Sequence, residues 1–554
     1  MNVPLGKTAP VVLHRPSLGW WRADVVEPVY EADDVREILG DLTSAVAVVH
    51  TAYGFAVATG GTAVIGGSNS GTDGYPLAAH LPPLMPEHLG DPAFLKTYRL
   101  KYPYMTGAMA NGIASTEMVE AIVRDGMLGC YGAAGQSIPT ITTAIERLQQ
   151  TLGSKSFAVN LIHSPNEPAH EEAVADLLIA KQVRIVEASA YIDLTPAIVR
   201  YRVAGLEQGP EGIVVRNRLI AKVSRTEVAT RFLSPPPTRM LQELLNAGKI
   251  TPLQADLATR VPMCDDLTAE ADSGGHTDNR PAIALLPTML LLRDRIGNQC
   301  GFATPVRVGL AGGLSTPASL AAAFSMGAAY VVTGSINQAC IESGSSDTVR
   351  KMLAEAGQAD VAMAPAADMF EMGVKLQVLK RGTMFPMRAA KLYELYRAHP
   401  AWEAIPETER AQIEKSLFRK PFAEIWADTH AFFLRRDPTL LPRAESDPKV
   451  KMALCFRWYL GWSSRWANAG EPSRQLDYQV WCGPAMGAFN EWVKGSVLES
   501  PSQRKVAVVA LNLLYGCCIH LRREDLRRQG VSLAPELFRT EPRSRDDLAA
   551  RLGS

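Results

Sequence analysis

Apolar and polar residues follow one dominant rhythm between about residues 100 and 340. Short apolar runs of strand length alternate with stretches of helical periodicity such as EEAVADLLIAKQ. Eight strand–helix repeats predict a (β/α)8 TIM barrel. An open doubly wound sheet is the alternative, but it would usually use about five to seven strands, and GxGxxG follows none of the runs. The runs are YMTGAM (104–109), LGCYGAA (128–134), FAVNLI (157–162), RIVEASA (184–190), RLIAKVS (218–224), DLTAEAD (266–272), RVGLAGG (307–313) and YVVTGS (330–335).

The rhythm is different on both sides of this segment. Residues 1–95 are rich in Gly, Pro and Val and predict an N-terminal α/β extension, with a turn-rich run at 66–76. Residues 361–554 predict a helical C-terminal region, which leaves 96–360 for the barrel. A helical insertion near 226–265 widens the gap after the fifth strand. In a barrel its core, residues 234–262, would lie on the catalytic face, because βα loops line that face.

Composition and charge exclude several classes of protein. The 554 residues include 57 Lys plus Arg and 57 Asp plus Glu, so the net charge is zero, which argues against a nucleic-acid-binding protein. The hydrophobic share of 47% excludes disorder as the main state. Eight cysteines without a CxxC pair indicate neither a zinc site nor a disulfide scaffold. With no signal peptide at the start and no uninterrupted apolar run of membrane-spanning length, we expect a cytoplasmic protein.

Glycines follow the seventh and eighth predicted strands. Gly312 and Gly313 end the seventh strand, and Gly334 and Ser335 end the eighth. Glycine lets backbone N–H groups approach an anion, and barrels often bind a phosphate at these two loops. The alternative is that both are only tight turns. Because the two motifs occur together at these two strands, the sequence favours a phosphate-bearing cofactor.

Polar residues also mark the ends of other predicted strands. The sixth ends in EADSGGH, where His276 stands at the catalytic end of the barrel and can exchange a proton near neutral pH. The simpler interpretation is a histidine bonded within its loop. The remaining polar strand ends suit an extended polar cofactor, although each could be a strand-end cap. They include Asn111, Asn160, Glu187, Ser189, Lys222 and Ser224, with Asp272, Gly274 and Gly275 before the histidine.

Two further patterns have two interpretations each. Trp458, Trp462 and Trp466 share one helix face, which favours a helix packed by large aromatics over a substrate-lining stripe. Five basic residues without an acidic neighbour lie between 375 and 391, and RREDLRR lies at 522–528. Both are typical of a solvated helix face, and the alternative is a basic docking surface for an acidic partner or a phosphate. The five are Lys375, Lys380, Arg381, Arg388 and Lys391.

Long motifs in this chain resemble one family. On these motifs the chain resembles, from about residue 18 to about residue 520, the PfaD family of trans-acting enoyl reductases of bacterial polyunsaturated fatty-acid and polyketide synthases. The barrel also resembles nitronate monooxygenases and flavin-dependent enoyl-carrier-protein reductases. The motifs are TGAMANG (106–112), VNLIHSPNEP (159–168), VEASAY (186–191), IAKVSR (220–225), EADSGGHTDNRP (270–281), GLAGGLSTP (309–317), VVTGSINQA (331–339), MAPAADMFEMGVKLQVLKRGTMFP (363–386) and DYQVWCGPAMGAFNEWV (477–493).

The resemblance implies a cofactor and a reaction. It implies FMN, with its phosphate at the Gly312–Gly313 and Gly334–Ser335 turns, and NADPH or NADH as hydride donor. The substrate is then an enoyl thioester on an acyl carrier protein, and His276 is the proton donor. Asp272 stands where the carrier-protein reductases tend to have glutamate, and TDNRP after the GGH motif departs from the superfamily. The implied flavin neighbours are Gly107, Ala108, Met109, Asn160, Glu187, Ser189, Lys222, Gly274 and Gly275.

Two other functions are weighed against this one. A nitronate monooxygenase would use the same cofactor and the same histidine, as a base. A flavin-free scaffold protein of a synthase complex would have lost Gly312, Gly313 or His276, and all three are present. A homo-oligomer is compatible with the sequence, which carries no signal for the number of protomers.

Overall fold

The computed structural model describes residues 17–66 and 74–552, so the extreme N-terminus and most of the turn-rich run at 66–76 lie outside the described residues. The N-terminal region is an antiparallel sheet in the order β3-β2-β5-β1-β4, with α1 packed beside it. The strand VAVVHT is rich in β-branched residues and mostly buried. The elements are β1 (Gly19–Arg22), α1 (Ala32–Gly40), β2 (Val46–Thr51), β3 (Gly54–Thr59), β4 (Thr62–Ile65), β5 (Tyr75–Leu81) and α2 (Pro92–Tyr98).

The middle of the chain forms a closed barrel of eight parallel strands, in the order β12-β13-β15-β16-β6-β7-β8-β9. Each of the eight apolar runs predicted as strands is a barrel strand, so the predicted TIM barrel is confirmed. The barrel strands are β6 (Tyr104–Thr106), β7 (Leu128–Tyr131), β8 (Ala158–Ile162), β9 (Ile185–Ser189), β12 (Arg218–Val223), β13 (Asp266–Glu270), β15 (Arg307–Ala311) and β16 (Val331–Thr333). Outside the barrel lie β10 (Leu206–Gly209), β11 (Gly212–Val215) and β14 (Gly275–His276).

Helices surround the barrel, and several begin at a capping side chain. Ser115 and Thr195 each accept a hydrogen bond from a backbone N–H of the first turn, which compensates for a missing intrahelical partner. The helices are α3 (Thr116–Arg124), α4 (Ile138–Leu152), α5 (Pro168–Ala180), α6 (Pro196–Val203), α7 (Thr226–Leu233), α8 (Thr238–Asn246), α9 (Pro252–Ala258), α10 (Ala282–Cys300), α11 (Pro317–Ser325), α12 (Ser335–Gln338) and α13 (Asp347–Ala354).

The predicted insertion exists as the two helices α8 and α9, but its expected place on the catalytic face is wrong. Helix α7 follows β12 directly and returns the chain toward the N-terminal end of the barrel. The extra helices come only after this return. Helix α9 packs on β10, and Gln254 Nε2 donates to the carbonyl of Ala204, after α6. The insertion therefore lies at the N-terminal end of the barrel, away from the βα loops.

The C-terminal region is mostly helical, as predicted, and begins with a β-hairpin. Strand β18 pairs with β14, so the hairpin extends the loop that carries His276. The elements are β17 (Val361–Pro365), β18 (Lys375–Leu379), α14 (Phe385–Ala398), α15 (Glu407–Ile413), α16 (Phe422–Arg436), α17 (Leu441–Ser446), α18 (Pro448–Ala469), α19 (Ala485–Val493), α20 (Val506–Arg528) and α21 (Arg545–Leu552). The predicted boundaries at residues 95 and 360 stay predictions.

Helix α20 connects the three parts of the molecule. By length and composition alone this helix could cross a membrane. However, 83% of its apolar 18-residue stretch is buried inside the protein. It packs on α11, on α3 and on β5. Arg522 on this helix is buried and donates to the carbonyls of Leu39, Asp41, Leu42 and Ser44. This arginine of the RREDLRR run therefore holds the C-terminal end of α1 and is not available to a partner.

The other basic run is largely paired within the protein. Arg388 forms an ion pair with the buried Asp477. Lys391 contacts Glu409 at 3.2 Å, and Arg381 lies 3.8 Å from both Glu355 and Asp360. The five residues also divide between β18, the turn after it and α14. The structure thus gives no continuous basic docking surface at 375–391.

Candidate active site

A cavity of about 890 Å³ lies at the C-terminal ends of the barrel strands. This is the upper part of the range of about 300–1,000 Å³ that small-molecule and cofactor sites occupy. Helices α16 and α18 of the C-terminal region cover it, and we call these two helices the roof. Thirteen of the fourteen residues that the sequence assigns to the site line this one cavity, and Glu187 is the exception. The insertion residues 234–262 do not line it.

The glycines after β15 and β16 form an open turn at one side of the cavity. Gly312 and Gly313 both have a positive φ, of 84° and 75°, which disfavours residues with a Cβ. A Cβ on Gly312 would lie 2.5 Å from the backbone of Ala271, so close packing also requires glycine there. A Cβ on Gly313 or Gly334 would meet no atom within 4 Å, because both face open space in the cavity. These two glycines leave room for a group to contact the backbone.

Ser335 has a contact that the sequence did not indicate. Its Oγ accepts a hydrogen bond of 3.1 Å from the backbone N–H of Gly483, in the C-terminal region. A Cβ on Gly274 would approach both Ser335 Oγ and the backbone N of Cys482, at 3.0 and 2.9 Å. The loops after β13 and β16 are therefore packed against one segment of the C-terminal region.

The segment after β6 contacts its neighbours through its backbone. The N–H of Gly107 donates to the carbonyl of Thr333, and the N–H of Ala108 donates to Glu187 Oε2 at 3.1 Å. The Ala108 N–H is thus satisfied within the protein, while Met109 lines the cavity. These contacts attach the first βα loop to β16 and β9.

Glu187 is fully buried, and burial raises the pKa of its carboxyl group. Its Oε1 has no hydrogen-bond partner, which is rare for a buried carboxylate and costs free energy. Asn160 Nδ2 donates to the Glu187 carbonyl at 3.0 Å and to Ser189 Oγ at 2.9 Å. These three predicted residues form one polar cluster, although only Asn160 and Ser189 line the cavity.

Lys222 on β12 pairs with Glu270 on the neighbouring strand β13. Its Nζ is 3.3 Å from Glu270 Oε1. Burial alone would lower the pKa of this lysine, but Glu270 and Glu187 together raise it well above its usual value. Lys222 is therefore a permanent cation facing the cavity. Glu270 was not assigned from the sequence, although it begins the quoted motif EADSGGHTDNRP.

His276 is held by both its backbone and its side chain. Its backbone pairs with Leu376 on β18, and its Nε2 lies 3.1 Å from Asp368 Oδ1. Burial acts to lower the pKa of His276, but the Asp368 carboxylate outweighs it and raises the pKa above the ordinary value. The same contact lowers the pKa of Asp368. The C-terminal region thus supplies the carboxylate that favours the imidazolium.

Asp272 has a structural role. Its Oδ1 accepts hydrogen bonds from Asn279 at 2.7 Å and from Gln377 at 2.9 Å. Gln377 also donates to the Ser273 carbonyl at 2.8 Å. Asp272 does not line the cavity. It fastens the loop of His276 to β18.

A second histidine–carboxylate pair lines the cavity and was missed. His163 Nδ1 lies 3.1 Å from Glu171 Oε2, and the His163 ring stacks on Tyr191. Glu171 is buried and also accepts from the Ser164 N–H and the hydroxyls of Tyr191 and Thr195. Burial opposes ionisation of Glu171, but the hydrogen bond from His163 and those from its other donors lower its pKa. The motif VNLIHSPNEP contains this histidine and was the available signal.

The roof contacts the barrel at several points. Arg436 on α16 makes a two-fold ion pair with Glu167 after β8, at 2.6 and 2.7 Å. Ser464 on α18 accepts from Asn111 after β6 at 3.0 Å. Trp458 and Trp462 line the cavity, whereas the sequence favoured packing for the whole tryptophan stripe. Two tryptophans of the stripe thus line the cavity, and a role in substrate binding stays a prediction. Trp466 packs against the hydrophobic core.

Family models match most of this architecture. Residues 92–420 match the model described as nitronate monooxygenase. Residues 399–478, which include the roof, match the model described as acyl-carrier-protein S-malonyltransferase, inserted helical domain.

Individual relatives are named as proteins of polyunsaturated fatty acid synthases or of polyketide biosynthesis. One of the polyunsaturated fatty acid synthase proteins of Thraustochytrium sp. is 51% identical over 448 residues, which are 79% of this chain and 30% of that protein. Polyketide biosynthesis protein PksE of Bacillus subtilis is 45% identical over 77% of this chain and 56% of its own length. The chain thus spans less than two thirds of the length of these curated relatives.

One solved structure matches closely. The enoyl reductase domain of MlnA, from the macrolactin biosynthesis cluster of Bacillus amyloliquefaciens, is 39% identical with a TM-score of 0.76. The match covers 79% of this chain and 99% of that domain. Together with the family model for the barrel, these relatives show that the chain belongs to the PfaD-like trans-acting enoyl reductases, an oxidoreductase family built on the nitronate monooxygenase barrel.

Proposed function

We propose that this protein is a cytoplasmic, FMN-dependent enoyl reductase of polyketide or polyunsaturated fatty-acid biosynthesis. It would use NADPH or NADH to reduce the α,β double bond of enoyl thioesters bound to an acyl carrier protein. The observation that carries the proposal is the cavity itself. In a chain 39% identical to an enoyl reductase domain, it joins an open glycine turn to a histidine whose protonation is favoured.

The residues present fit FMN. Gly313 and Gly334 leave open the space that a phosphate needs, at the two loops where barrels bind phosphate. Lys222 and Asn160, which line the cavity, offer a cation and an amide oxygen for a polar ring system. When bound, FMN would supply the hydride chemistry that side chains lack.

His276 supplies the proton in this proposal. Reduction at the β-carbon leaves negative charge on the thioester oxygen, and the α-carbon requires a proton. The Nε2–H of His276 donates to Asp368, which leaves the Nδ1–H of the imidazolium for the substrate. Because Asp368 raises the pKa of His276, the proton is retained to a higher pH than on an unpaired histidine.

The C-terminal region would bind the carrier-bound chain. Its roof resembles the helical insertion of an acyl-carrier-protein transferase and lines the cavity with Phe432, Trp458 and Trp462. These aromatic surfaces exclude water and suit an acyl chain. The names of the relatives, which are synthase proteins, support an acyl carrier protein as the partner.

The proposal is tested under anaerobic conditions with purified protein. We expect flavin absorbance that NADPH bleaches and that a crotonyl thioester restores. Bleaching without restoration by any enoyl thioester, on a carrier protein or as a free thioester, would contradict it. The nitronate monooxygenase match over residues 92–420 favours a second candidate, a flavin oxidase. Rapid oxygen-dependent turnover of an alkyl nitronate, with no thioester reduction, would support that candidate.

A further inference from the structure

Arginines line the cavity near the roof, and they differ in how they are paired. Among the described residues that line it, three arginines face a carboxylate: Arg225 pairs with Asp278, Arg436 with Glu167, and Arg457 with Glu371. Arg435 and Arg465 form no ion pair within the part of the chain that the structure describes. Of these two, Arg465 has a defined environment, on α18 one residue after the serine that contacts Asn111.

Arg465 lies at the wall of the cavity, partly enclosed but exposed to solvent, so a ligand can reach its guanidinium. Its guanidinium lies over the ring of Trp462, 5.3 Å from the ring centroid. Burial lowers the pKa of Arg465, and the neighbouring charge of Arg436 lowers it further. Glu167 neutralises Arg436, whereas no carboxylate of the described residues occupies the guanidinium donors of Arg465. Trp462 is 39% exposed and extends this surface with an aromatic face.

The FMN phosphate is assigned to a different side of the cavity from Arg436, the charged neighbour of Arg465. The open glycine turns follow β15 and β16, whereas Arg436 is bound to the loop after β8. In the order of the closed barrel, β15 and β8 are four places apart in a ring of eight, so they are diametrically opposed. The glycine turn after β15 and the loop that binds Arg436 therefore lie at opposite sides of the barrel mouth. A single FMN phosphate at the glycine turns leaves the second side for another ligand.

We propose that Arg465, with Arg436 beside it and Trp462 beneath it, binds a phosphate group of the ligand that reacts with the flavin. This rests on the proposed function, in which both reacting partners carry such a group: the phosphopantetheine arm of the thioester and the nicotinamide dinucleotide. Arginine suits a phosphate because its planar donors can form two charge-assisted hydrogen bonds.

The first test is equilibrium binding, which needs no catalysis. Calorimetry of the flavin-loaded protein compares 4′-phosphopantetheine with pantetheine, which differ by the phosphate, and adds NADPH and NADH. We expect wild type to bind either 4′-phosphopantetheine or the dinucleotides at least about tenfold more tightly than the Arg465→Ala variant does. Pantetheine should bind both proteins equally. Arg465→Lys should recover part of the affinity.

A matched control separates a local effect from a change in net charge. Arg443 is exposed on α17 and does not line the cavity, so Arg443→Ala removes one arginine from the same region. We expect it to bind every ligand as wild type does. Both variants should show the same thermal denaturation midpoint as wild type, because neither arginine belongs to a salt bridge in the described residues.

The half-reactions then identify the source of the phosphate. If Arg465 serves the thioester, its loss raises the concentration of crotonyl-4′-phosphopantetheine that half-saturates flavin reoxidation, while bleaching by NADPH is unchanged. If it serves the dinucleotide, its loss raises the concentration of NADPH that half-saturates flavin bleaching, while reoxidation by the thioester is unchanged. Equal affinity of wild type and Arg465→Ala for all four ligands would overturn the proposal. That result does not touch the proposed function, which fails only if wild type shows no thioester-dependent reoxidation.

Discussion

The two ends of the barrel bury charges in opposite ways. At the N-terminal end, Arg307 donates twice to the buried Asp266, at 2.6 and 2.8 Å, and Tyr98 donates to the same carboxylate. Asp265 beside it pairs with Arg202 and Arg218. These networks are closed, because each carboxylate has donors from the protein. The active-site cavity does not extend to this end of the barrel.

At the C-terminal end the charges are left open. Glu187 Oε1 has no hydrogen-bond partner, and Lys222 faces the cavity 3.3 Å from Glu270. Arg465 forms no ion pair with a carboxylate of the described residues. The His276–Asp368 and His163–Glu171 pairs present their second ring nitrogens without a hydrogen-bond partner from the described protein. A closed network orders strand ends, whereas an open one is ready for a ligand. The difference shows which end of a barrel carries chemistry.

The largest expected effect tests the open end. His276→Gln removes the proton donor and should lower the rate of thioester-dependent flavin reoxidation by about 10²–10⁴-fold. Bleaching by NADPH should be nearly unchanged, because that step needs no proton at the substrate. His163→Gln is the matched variant, since it breaks the other histidine–carboxylate pair. Stopped-flow absorbance measures both steps, and a larger loss in His163→Gln would transfer the role to His163.

At the closed end we expect a substitution to lower the free energy of unfolding and to leave the reaction rate unchanged. Arg307→Met leaves Asp266 buried with Tyr98 as its remaining side-chain donor, which should cost about 3–5 kcal/mol of unfolding free energy. Burial already raises the pKa of Asp266 despite the arginine. Thermal denaturation measures the loss, and the rate per flavin-loaded molecule should stay at the wild-type value. Replacing Asp266 as well, with leucine, should recover stability.

The glycine turn allows a comparison at equal backbone strain. Gly313 and Gly495 both have a φ of 75°, and at both a Cβ would meet nothing within 4 Å. Gly313→Ala and Gly495→Ala should each cost about 1–2 kcal/mol of stability. Only Gly313→Ala places a methyl group in the proposed phosphate space, so its FMN affinity should fall by about tenfold. Equal FMN affinity in both variants would remove Gly313 from the phosphate site.

The smallest effect is a shift in pH dependence. Asp368 raises the pKa of His276, so the protonated, active form persists below that raised pKa and is lost as pH rises through it. Asp368→Asn removes the carboxylate, and the alkaline limb of thioester reduction should move to lower pH. The rate at acidic pH should change little. A profile whose alkaline limb stays in place would show that another group sets it.

Much of this site could be predicted from the sequence. The eight apolar runs located the barrel strands, and polar residues at their ends had to meet at one rim, because parallel strands all point the same way. Thirteen assigned residues accordingly line one cavity. The insertion was misplaced because strand spacing does not say whether extra residues come before or after the returning helix. Glu187 was assigned to the cavity because a strand pattern does not give the depth at which each inward side chain lies.

What the sequence determined by itself is the barrel, its catalytic end and the motifs that show its family, because these depend on local periodicity and on the order of elements. Only the tertiary structure decided which distant carboxylates pair with which cations. Asp368 lies 92 residues from His276, Glu167 lies 269 residues from Arg436, and Arg465 has no such partner in the described chain. Pairing over such separations follows from packing of the C-terminal region on the barrel. No local pattern in the chain encodes that packing.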